Sequence, residues 1–170
     1  MSKDIRLGPE LQFEIEQFLY EEADLLTRGC FSEWLNRFSE DIHYWMPARM
    51  TLIGEEGAIA SPDELAIFDD DKAFLEARVK RLASPLAHAE RPASRVRYFI
   101  TNVRIQLLDN DELSVQCNLL VSQTRLERIE AHFVAERVDR LRRHGESWLV
   151  SKRKIVLDQT MIPRSISIFF

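Results

Sequence analysis

A chain of 170 residues with 45% apolar and 30% charged side chains has the size and composition of a single globular domain, expected to span residues 1–170. The net charge of −5 excludes a general attraction to nucleic acid or to an anionic membrane, and no apolar run approaches the roughly 18–20 residues that a bilayer span requires. The N-terminal stretch is charged throughout, so a cytoplasmic location is expected, with Cys30 and Cys117 reduced.

The first part of the chain carries helical patterns and one short β segment. Apolar residues recur at spacings of three and four over residues 9–28, which predicts an amphipathic helix that Gly29 ends. A short second helix is expected to follow, with Ser32 as its N-cap. The aromatic run 41–47 is typical of a strand, and the glycines and proline within 51–68 predict a hairpin or loop.

A third helix is predicted over residues 68–82. The acidic run 69–71 lies at its start, while Lys80 and Arg81 lie at its end, an arrangement that the helix dipole favours. The apolar residues expected to face inward are Phe74, Leu75, Val79 and Leu82.

The second half of the chain has the alternation of β-strands. The apolar parity changes partway through 95–108, which predicts a β-bulge in a long, bent strand. Further strands are expected over 112–127, from residue 129 onward and over 148–160. Helices followed by a meander of strands indicate an α+β fold, with three N-terminal helices packed on a strongly curved, mostly antiparallel sheet that forms a cone.

No motif in the sequence predicts a catalytic, cofactor-binding or metal site in this chain. A Rieske cluster requires paired Cys and His residues at short spacing, whereas the two cysteines here are far apart. The four histidines show no helical pairing of the kind that could form a two-His-carboxylate site, and no glycine-rich phosphate loop is present. One enzymatic alternative stays open, in which Asp41, His43 and Tyr44 act as acid and base inside the cone of an isomerase or dehydratase.

Two stretches are candidate contact surfaces. The basic stretch 137–144, with Arg140, Arg142 and Arg143, is predicted to be an exposed hairpin tip that is either solvated or in contact with an acidic partner.

Trp34 and Trp45 are predicted to pack in the core.

The C-terminal stretch 166–170 is unusually apolar for a chain terminus. The four large side chains Ile166, Ile168, Phe169 and Phe170 would each forgo roughly 1.5–3 kcal/mol of burial in water. They are therefore expected to pack either on their own sheet or on another subunit.

Six stretches that together span nearly the whole chain resemble the small (β) subunit of the aromatic-ring-hydroxylating dioxygenases of the toluene, biphenyl and naphthalene type. These stretches are ELQFEIEQFLYEEADLL, WLNRFSEDIHYWMP, FDDDKAFLEARVKRL, RPASRVRYFITNV, RLERIEAHFVAERVDRLRR and KIVLDQTMIPRSISIFF.

The resemblance implies both a fold and a role. The fold is the cone-shaped NTF2-like (cystatin-like) type, shared with nuclear transport factor 2 and ketosteroid isomerase. The role is to assemble with α subunits and other β subunits, typically as an α3β3 hexamer, in which the α subunit holds the Rieske [2Fe-2S] cluster and the mononuclear Fe(II).

Such complexes take electrons from NAD(P)H through a reductase and often a ferredoxin, and convert an arene and O2 to a cis-dihydrodiol. This chain would then be a non-catalytic subunit without a cofactor. The residues Ile166, Ile168, Phe169 and Phe170 would be subunit contacts, because interface cores favour aromatic residues. A binding adaptor that uses its sheet face for a protein partner is a third alternative.

Overall fold

The computed structural model describes residues 7–52, 55–59, 65–83, 93–126, 129–160 and 166–170. Within these residues lie three α-helices and eight β-strands. They are α1 (Pro9–Arg28), α2 (Phe31–Leu35), β1 (Phe38–Pro47), β2 (Arg49–Leu52), β3 (Glu55–Ile59), β4 (Ala66–Asp70), α3 (Lys72–Ala83), β5 (Arg95–Leu107), β6 (Glu112–Arg125), β7 (Ile129–His144) and β8 (Ser147–Leu157).

Six strands form one sheet in the order β4-β1-β8-β7-β6-β5, and β2 pairs with β3 in a separate hairpin. β5 to β8 form an antiparallel meander, whose last strand pairs with β1 in parallel. β4 then adds to β1 in antiparallel orientation at the edge. The predicted α+β fold with a mostly antiparallel sheet is confirmed.

α1 forms where the apolar period predicts it and covers the inner face of the sheet. Its buried stripe includes Leu11, Ile15 and Leu19, which pack in the same core as the alternating inward residues of β6. The helix ends at Gly29, whose φ of 71° is a left-handed conformation that glycine adopts without steric cost.

The third helix begins later than predicted. Residues 66–70 form β4 instead, because their backbone pairs with β1. Asp71 then caps α3, its carboxylate accepting a hydrogen bond of 2.9 Å from the backbone N–H of Phe74. Phe74 lies on the outer side of this helix and is 62% accessible, while Leu75 and Val79 are buried. The inward placement predicted for Phe74 is wrong.

Two smaller features also bear on the predictions. Ser32 lies inside α2, whose N-cap is Cys30, so its predicted capping role is wrong. β5 has the predicted bulge: its register with β6 shifts between Thr101 and Arg104, and Asn102 adopts a φ of 57°. On the N-terminal side of the bulge, the side chain of Tyr98 packs against the core. The bulge therefore determines which residues of β5 face the interior.

Candidate functional site

The cone is the space between the inner face of the sheet and helices α1 and α2. Its walls are aromatic: Trp34 of α2 and Tyr44 of β1 are fully buried, and Phe133 of β7 is nearly so. The ring of Trp34 meets Phe38 and Tyr44 edge to face, at centroid distances of 4.7 and 6.3 Å. This interior is where an enzyme of this fold class would be expected to hold its substrate.

Four charged side chains lie at the centre of the cone, each only about 1% exposed. They are Glu22, Arg137, Asp139 and Arg153. Arg153 donates hydrogen bonds to both carboxylates: Nη1 lies 2.6 Å from Glu22 Oε1, and Nε lies 2.7 Å from Asp139 Oδ1. Its Nη2 donates to the second oxygen of each carboxylate, at 3.0 Å to Glu22 and 2.7 Å to Asp139. Arg153 therefore bridges the two acids as a planar fork, the geometry for which guanidinium is suited.

Arg137 completes the balance of charge. Its Nη2 lies 3.0 Å from Glu22 Oε2 and its Nε lies 3.3 Å from Asp139 Oδ2, although these contacts lack hydrogen-bond geometry. Two positive and two negative groups thus neutralise one another away from water. This balance is needed because an unpaired buried charge is strongly destabilising.

The pKa of the Glu22 carboxyl reports on this environment. Burial by itself would raise it, but the charges of Arg153 and Arg137, with hydrogen bonds from Arg153 and Trp34, lower the pKa from 4.5 to about 2. Burial by itself would lower the pKa of Arg153, but the two carboxylates of Asp139 and Glu22 raise this pKa well above its ordinary value. Burial raises the pKa of the Tyr44 phenol. All these groups are therefore fixed in their ordinary charge states near neutral pH.

The stretch 166–170, called here the tail, packs inside the cone. Ile168, Phe169 and Phe170 are buried, at 7%, 3% and 0% exposure. The Phe169 ring lies 4.5 Å from that of Trp34, and the Phe170 ring meets Phe133 edge to face at 5.5 Å. The tail is thus part of the hydrophobic core of its own chain.

The backbone of the tail is recognised by three side chains. Tyr44 Oη donates to the main-chain oxygen of Phe170 at 2.7 Å and accepts from the N–H of the same residue at 2.8 Å. Arg153 Nη1 donates to that oxygen at 2.9 Å, and Tyr98 Oη donates to the oxygen of Phe169 at 2.9 Å. Because both functions of the Tyr44 hydroxyl are engaged by Phe170, this phenol is not available as an acid or a base in the observed arrangement.

The residues of the enzymatic alternative are not brought together. Tyr44 points into the cone, but His43 lies on the outer face of the sheet, 2.7 Å from Asp69. Asp41 is also exposed and binds Arg142 at 2.7 Å. Adjacent residues of a strand point to opposite faces, so His43 and Tyr44 cannot share a site. The prediction of an acid–base group within the cone is wrong for Asp41 and His43.

The basic stretch 137–144 forms an exposed tip only at its end, where Arg143 and His144 are exposed. Arg137 and Asp139 are buried in the cone, and the three arginines that were candidate contacts bind acids from other elements. Arg140 and Arg142 bind Glu112, and Arg143 binds Glu14. These partners come from distant parts of the chain, which is why the local sequence showed almost no acid to balance them. A subunit contact through Arg140, Arg142 and Arg143 stays a prediction.

For the tail, the structure realises the self-packing alternative: Ile168, Phe169 and Phe170 are covered within their own chain, and Ile166 is half-buried against the same core. An additional contact of Ile166, Ile168, Phe169 and Phe170 with another subunit stays a prediction.

The two tryptophans behave differently. Trp34 is buried as predicted, and its indole N–H donates to Glu22 Oε1 at 2.9 Å. Trp45 is half-buried on the outer face, stacked with His43 and with Lys154 Nζ 5.2 Å from its ring centre. The prediction that Trp45 packs in the core is therefore wrong.

The buried charges were missed by the sequence argument, although their positions carry a signal. Glu22 follows Ile15 and Leu19 at the inward spacing of α1. Arg137 and Asp139 continue the inward parity of β7 after Phe133. A charge at an inward position of an otherwise apolar pattern points to a buried ion pair, since such positions exclude water.

A cavity of about 230 Å³ remains beside the tail, between the end of α1 and the start of β5. Its walls include Phe31, Val96, Tyr98 and Phe169.

The outer face of the sheet carries an exposed apolar row in which Phe99, Leu120 and Val134 lie side by side on β5, β6 and β7. Isolated apolar residues are ordinary on a surface, but a contiguous row is typical of a surface that contacts another protein.

In the described part of the chain, no three His, Cys, Asp or Glu side chains are grouped so that they could bind a metal ion. Cys117 is buried within β6, where burial raises the pKa of its thiol, and Cys30 lies at the start of α2. Among the described helices, none is both long and apolar enough to cross a bilayer.

Comparison with known proteins gives a consistent result. Residues 21–164 match the family model described as "Ring hydroxylating beta subunit". The chain is 40% identical to the β subunit of biphenyl 2,3-dioxygenase from Rhodococcus jostii (strain RHA1), over 99% of this chain and 94% of that protein. It is 37% identical to the β subunit of 3-phenylpropionate/cinnamic acid dioxygenase from Photorhabdus laumondii, over 100% and 97% of the two chains.

Solved structures share the fold. A chain of naphthalene 1,2-dioxygenase with indole bound in its active site superimposes with a TM-score of 0.85 at 22% identity, covering 98% of this chain and 89% of that one. The β subunit of benzoate 1,2-dioxygenase from Burkholderia mallei gives a TM-score of 0.72 at 23% identity, covering 92% and 93%. The predicted cone-shaped NTF2-like fold is confirmed by these similarities.

Proposed function

This chain belongs to the family of ring-hydroxylating β subunits, and from that membership we propose that it is the structural subunit of an α3β3 terminal oxygenase that acts on an aromatic hydrocarbon. The observation that carries the proposal is the 40% identity to a dioxygenase β subunit over 99% of the chain. At that identity and coverage, the place of the chain in its complex is expected to be the same.

The catalytic metals are proposed to lie in the partner α subunit, as a Rieske [2Fe-2S] cluster and a mononuclear Fe(II). Two observations on this chain support this division. A Rieske cluster needs two cysteines and two histidines, whereas one of the two cysteines here is buried in a strand of the core. The interior of the cone, moreover, is occupied by the tail and by a neutral ion-pair cluster of the same chain.

The reaction proposed for the complex is the conversion of an arene and O2 to a cis-dihydrodiol, with electrons delivered from NAD(P)H through a reductase and a ferredoxin. Relatives named for benzene and biphenyl dioxygenases support an aromatic hydrocarbon as substrate. We also propose that the complex lies in the cytoplasm. The exposed apolar row on the outer face of the sheet supports a contact between this chain and another subunit.

Co-expression with a dioxygenase α subunit from the same organism tests the proposal. We expect the two chains to co-purify at the mass of an α3β3 hexamer and to form a cis-dihydrodiol when reductase, ferredoxin, NAD(P)H and an arene are added. The α subunit expressed without this chain is the control, and we expect it to be poorly assembled and of low activity. A chain that never binds the α subunit would overturn the proposal.

A further inference from the structure

The tail contacts the cone as a ligand contacts a binding site. Its rings lie against Trp34 and Phe133, and its backbone oxygens accept hydrogen bonds from Tyr44, Tyr98 and Arg153. No regular helix or strand includes residues 166–170, and no ladder of sheet hydrogen bonds ties them to the strands beside them. The side chains of Tyr44, Tyr98 and Arg153 hydrogen-bond to the backbone of the tail, as side chains of a binding site do to a bound peptide.

The recognition by Tyr44 is specific for a peptide unit. One hydroxyl both accepts from the N–H of Phe170, at 2.8 Å, and donates to the oxygen of Phe170, at 2.7 Å. A ligand must therefore carry a donor and an acceptor at the spacing found within one amino-acid residue. The same residue must present an aromatic ring to Phe133.

The charge of the cone restricts the ligand further. Arg153 already has two carboxylate partners, and Arg137 with the same two acids makes the cluster neutral. Arg153 Nη1 also donates to the main-chain oxygen of Phe170, so the site takes one further hydrogen-bond acceptor from its ligand. An aromatic peptide satisfies this requirement without disturbing the ion pairs.

We propose that the cone is a peptide-binding site for the sequence Ile-Phe-Phe, occupied in this chain by its own residues 168–170 and able to bind the same sequence from a separate peptide. Tethering favours the chain's own tail, because a short tether gives an effective concentration on the order of millimolar. The tail enters and leaves the cone as a unit, in a step separate from the folding of the sheet. The proposal does not depend on the assembly with the α subunit.

The first experiment deletes residues 166–170 and adds the acetylated peptide Ile-Ser-Ile-Phe-Phe, in both acid and amide forms, to the shortened chain. We expect saturable binding by calorimetry and a rise in melting temperature. The full-length chain is the matched control, and it should not bind the peptide at micromolar concentration because its site is filled. A peptide with alanine in place of the last phenylalanine should bind at least about ten-fold more weakly, since it loses the contact with Phe133.

Each outcome decides the question. Binding of either peptide form to the shortened chain, or folding of an otherwise unfolded shortened chain when the peptide is added, supports the proposal. A shortened chain that does not respond to a large excess of either peptide overturns it. Equal binding to the full-length chain also overturns it, because the peptide would then bind elsewhere.

The second experiment uses the intact full-length chain, so it does not depend on the folding of a deletion variant. Native-state hydrogen exchange is measured at the amides of Phe169 and Phe170 and at buried amides of β6. We expect the tail amides to exchange through a local opening, faster than those of β6. The variant Tyr44→Phe should speed the exchange of Phe170 by about ten-fold, since it loses the hydrogen bonds to the backbone of the tail. Exchange of the tail at the same rate as β6 would overturn the proposal.

Discussion

Glu21 and Glu22 are neighbours on α1 that lie in opposite environments. Glu22 is buried among Arg153, Arg137 and Trp34, whereas Glu21 is exposed and forms a surface ion pair of 2.8 Å with Arg37. The two carboxylates are one residue apart on the helix, yet that of Glu22 is buried in the core and that of Glu21 is exposed to water. The pair therefore provides a test in which the chemistry of the substitution is the same and only the burial differs.

We predict that Glu22→Gln lowers the free energy of unfolding by about 3–5 kcal/mol, because it leaves Arg137 and Arg153 with only one acid between them. The matched variant Glu21→Gln should cost at most about 1 kcal/mol, the range of an exposed ion pair. Urea denaturation of both variants measures the difference. Equal losses of stability in the two variants would contradict the assignment of a buried charge cluster.

The pH dependence of stability gives a second prediction at this residue. The pKa of Glu22 is lowered from 4.5 to about 2 in the folded chain, so its stabilising contribution is complete above about pH 4.5 and is lost as the pH falls toward 2. We expect the stability advantage of the wild-type chain over Glu22→Gln to shrink steadily across this window. Thermal melts between pH 2 and pH 6 test this, and an advantage that stays constant would refute it.

The two tryptophans allow a third test at the residue scale. Trp34→Ala should cost about 3–5 kcal/mol, since it empties the centre of the cone and removes a hydrogen bond to Glu22. Trp45→Ala should cost clearly less, because Trp45 is only half-buried on the outer face. Chemical denaturation of both variants ranks them, and a larger loss for Trp45 would be inconsistent with the structure.

Among the elements, α3 shows how a strand and a helix divide one stretch of sequence. Residues 66–70 have a run of acids that reads as the start of a helix, but pairing with β1 holds them extended. Asp71 then becomes the first residue that can cap the helix. Local propensity was overruled here by hydrogen bonds to a strand that is distant in sequence.

We predict that Asp71→Ala lowers the free energy of unfolding by about 1 kcal/mol, because it removes the side-chain acceptor for the N–H of Phe74. The nearby variant Asp69→Ala changes an exposed acid that is outside the helix and should have a smaller effect on stability. Denaturant melts of the two variants provide the comparison. A greater cost for Asp69 would place the cap of α3 elsewhere.

At the scale of the whole molecule, the ion-pair cluster and the tail occupy the interior of the cone. The interior is made from α1, β1, β7, β8 and the tail, so its completion requires nearly the full length of the chain. The buried carboxylates of Glu22 and Asp139 and the hydroxyl of Tyr44 are all engaged by groups of the same chain.

We predict that the double variant Cys30→Ser/Cys117→Ser, in a complex with the α subunit, has the same iron content and the same Rieske electron paramagnetic resonance spectrum as the wild-type complex. The reason is that neither cysteine belongs to a group of metal-binding side chains in the described part of the chain. Loss of the Rieske signal from a complex that still assembles would show that this chain supplies a ligand.

The sequence by itself determined the elements with a long, regular period. The apolar stripe of α1, the stop at Gly29 and the alternation of β6 each depend on neighbours a few residues away, and each is observed where the pattern places it. The bulge in β5 was also readable, because a change of apolar parity has one simple structural cause. The family resemblance, carried by stretches along nearly the whole chain, determined the role.

Only the tertiary structure decided what the charged and terminal residues do. Arg153 forms its ion pair with Glu22, which is 131 residues away, and Tyr44 forms its hydrogen bonds with Phe170, which is 126 residues away. A local pattern shows that Arg137 and Asp139 lie at inward positions, but it cannot show that acids and bases from other elements meet them there. The cost of burying a charge depends on its partners in three dimensions, and these are set when the sheet and helices close around the tail.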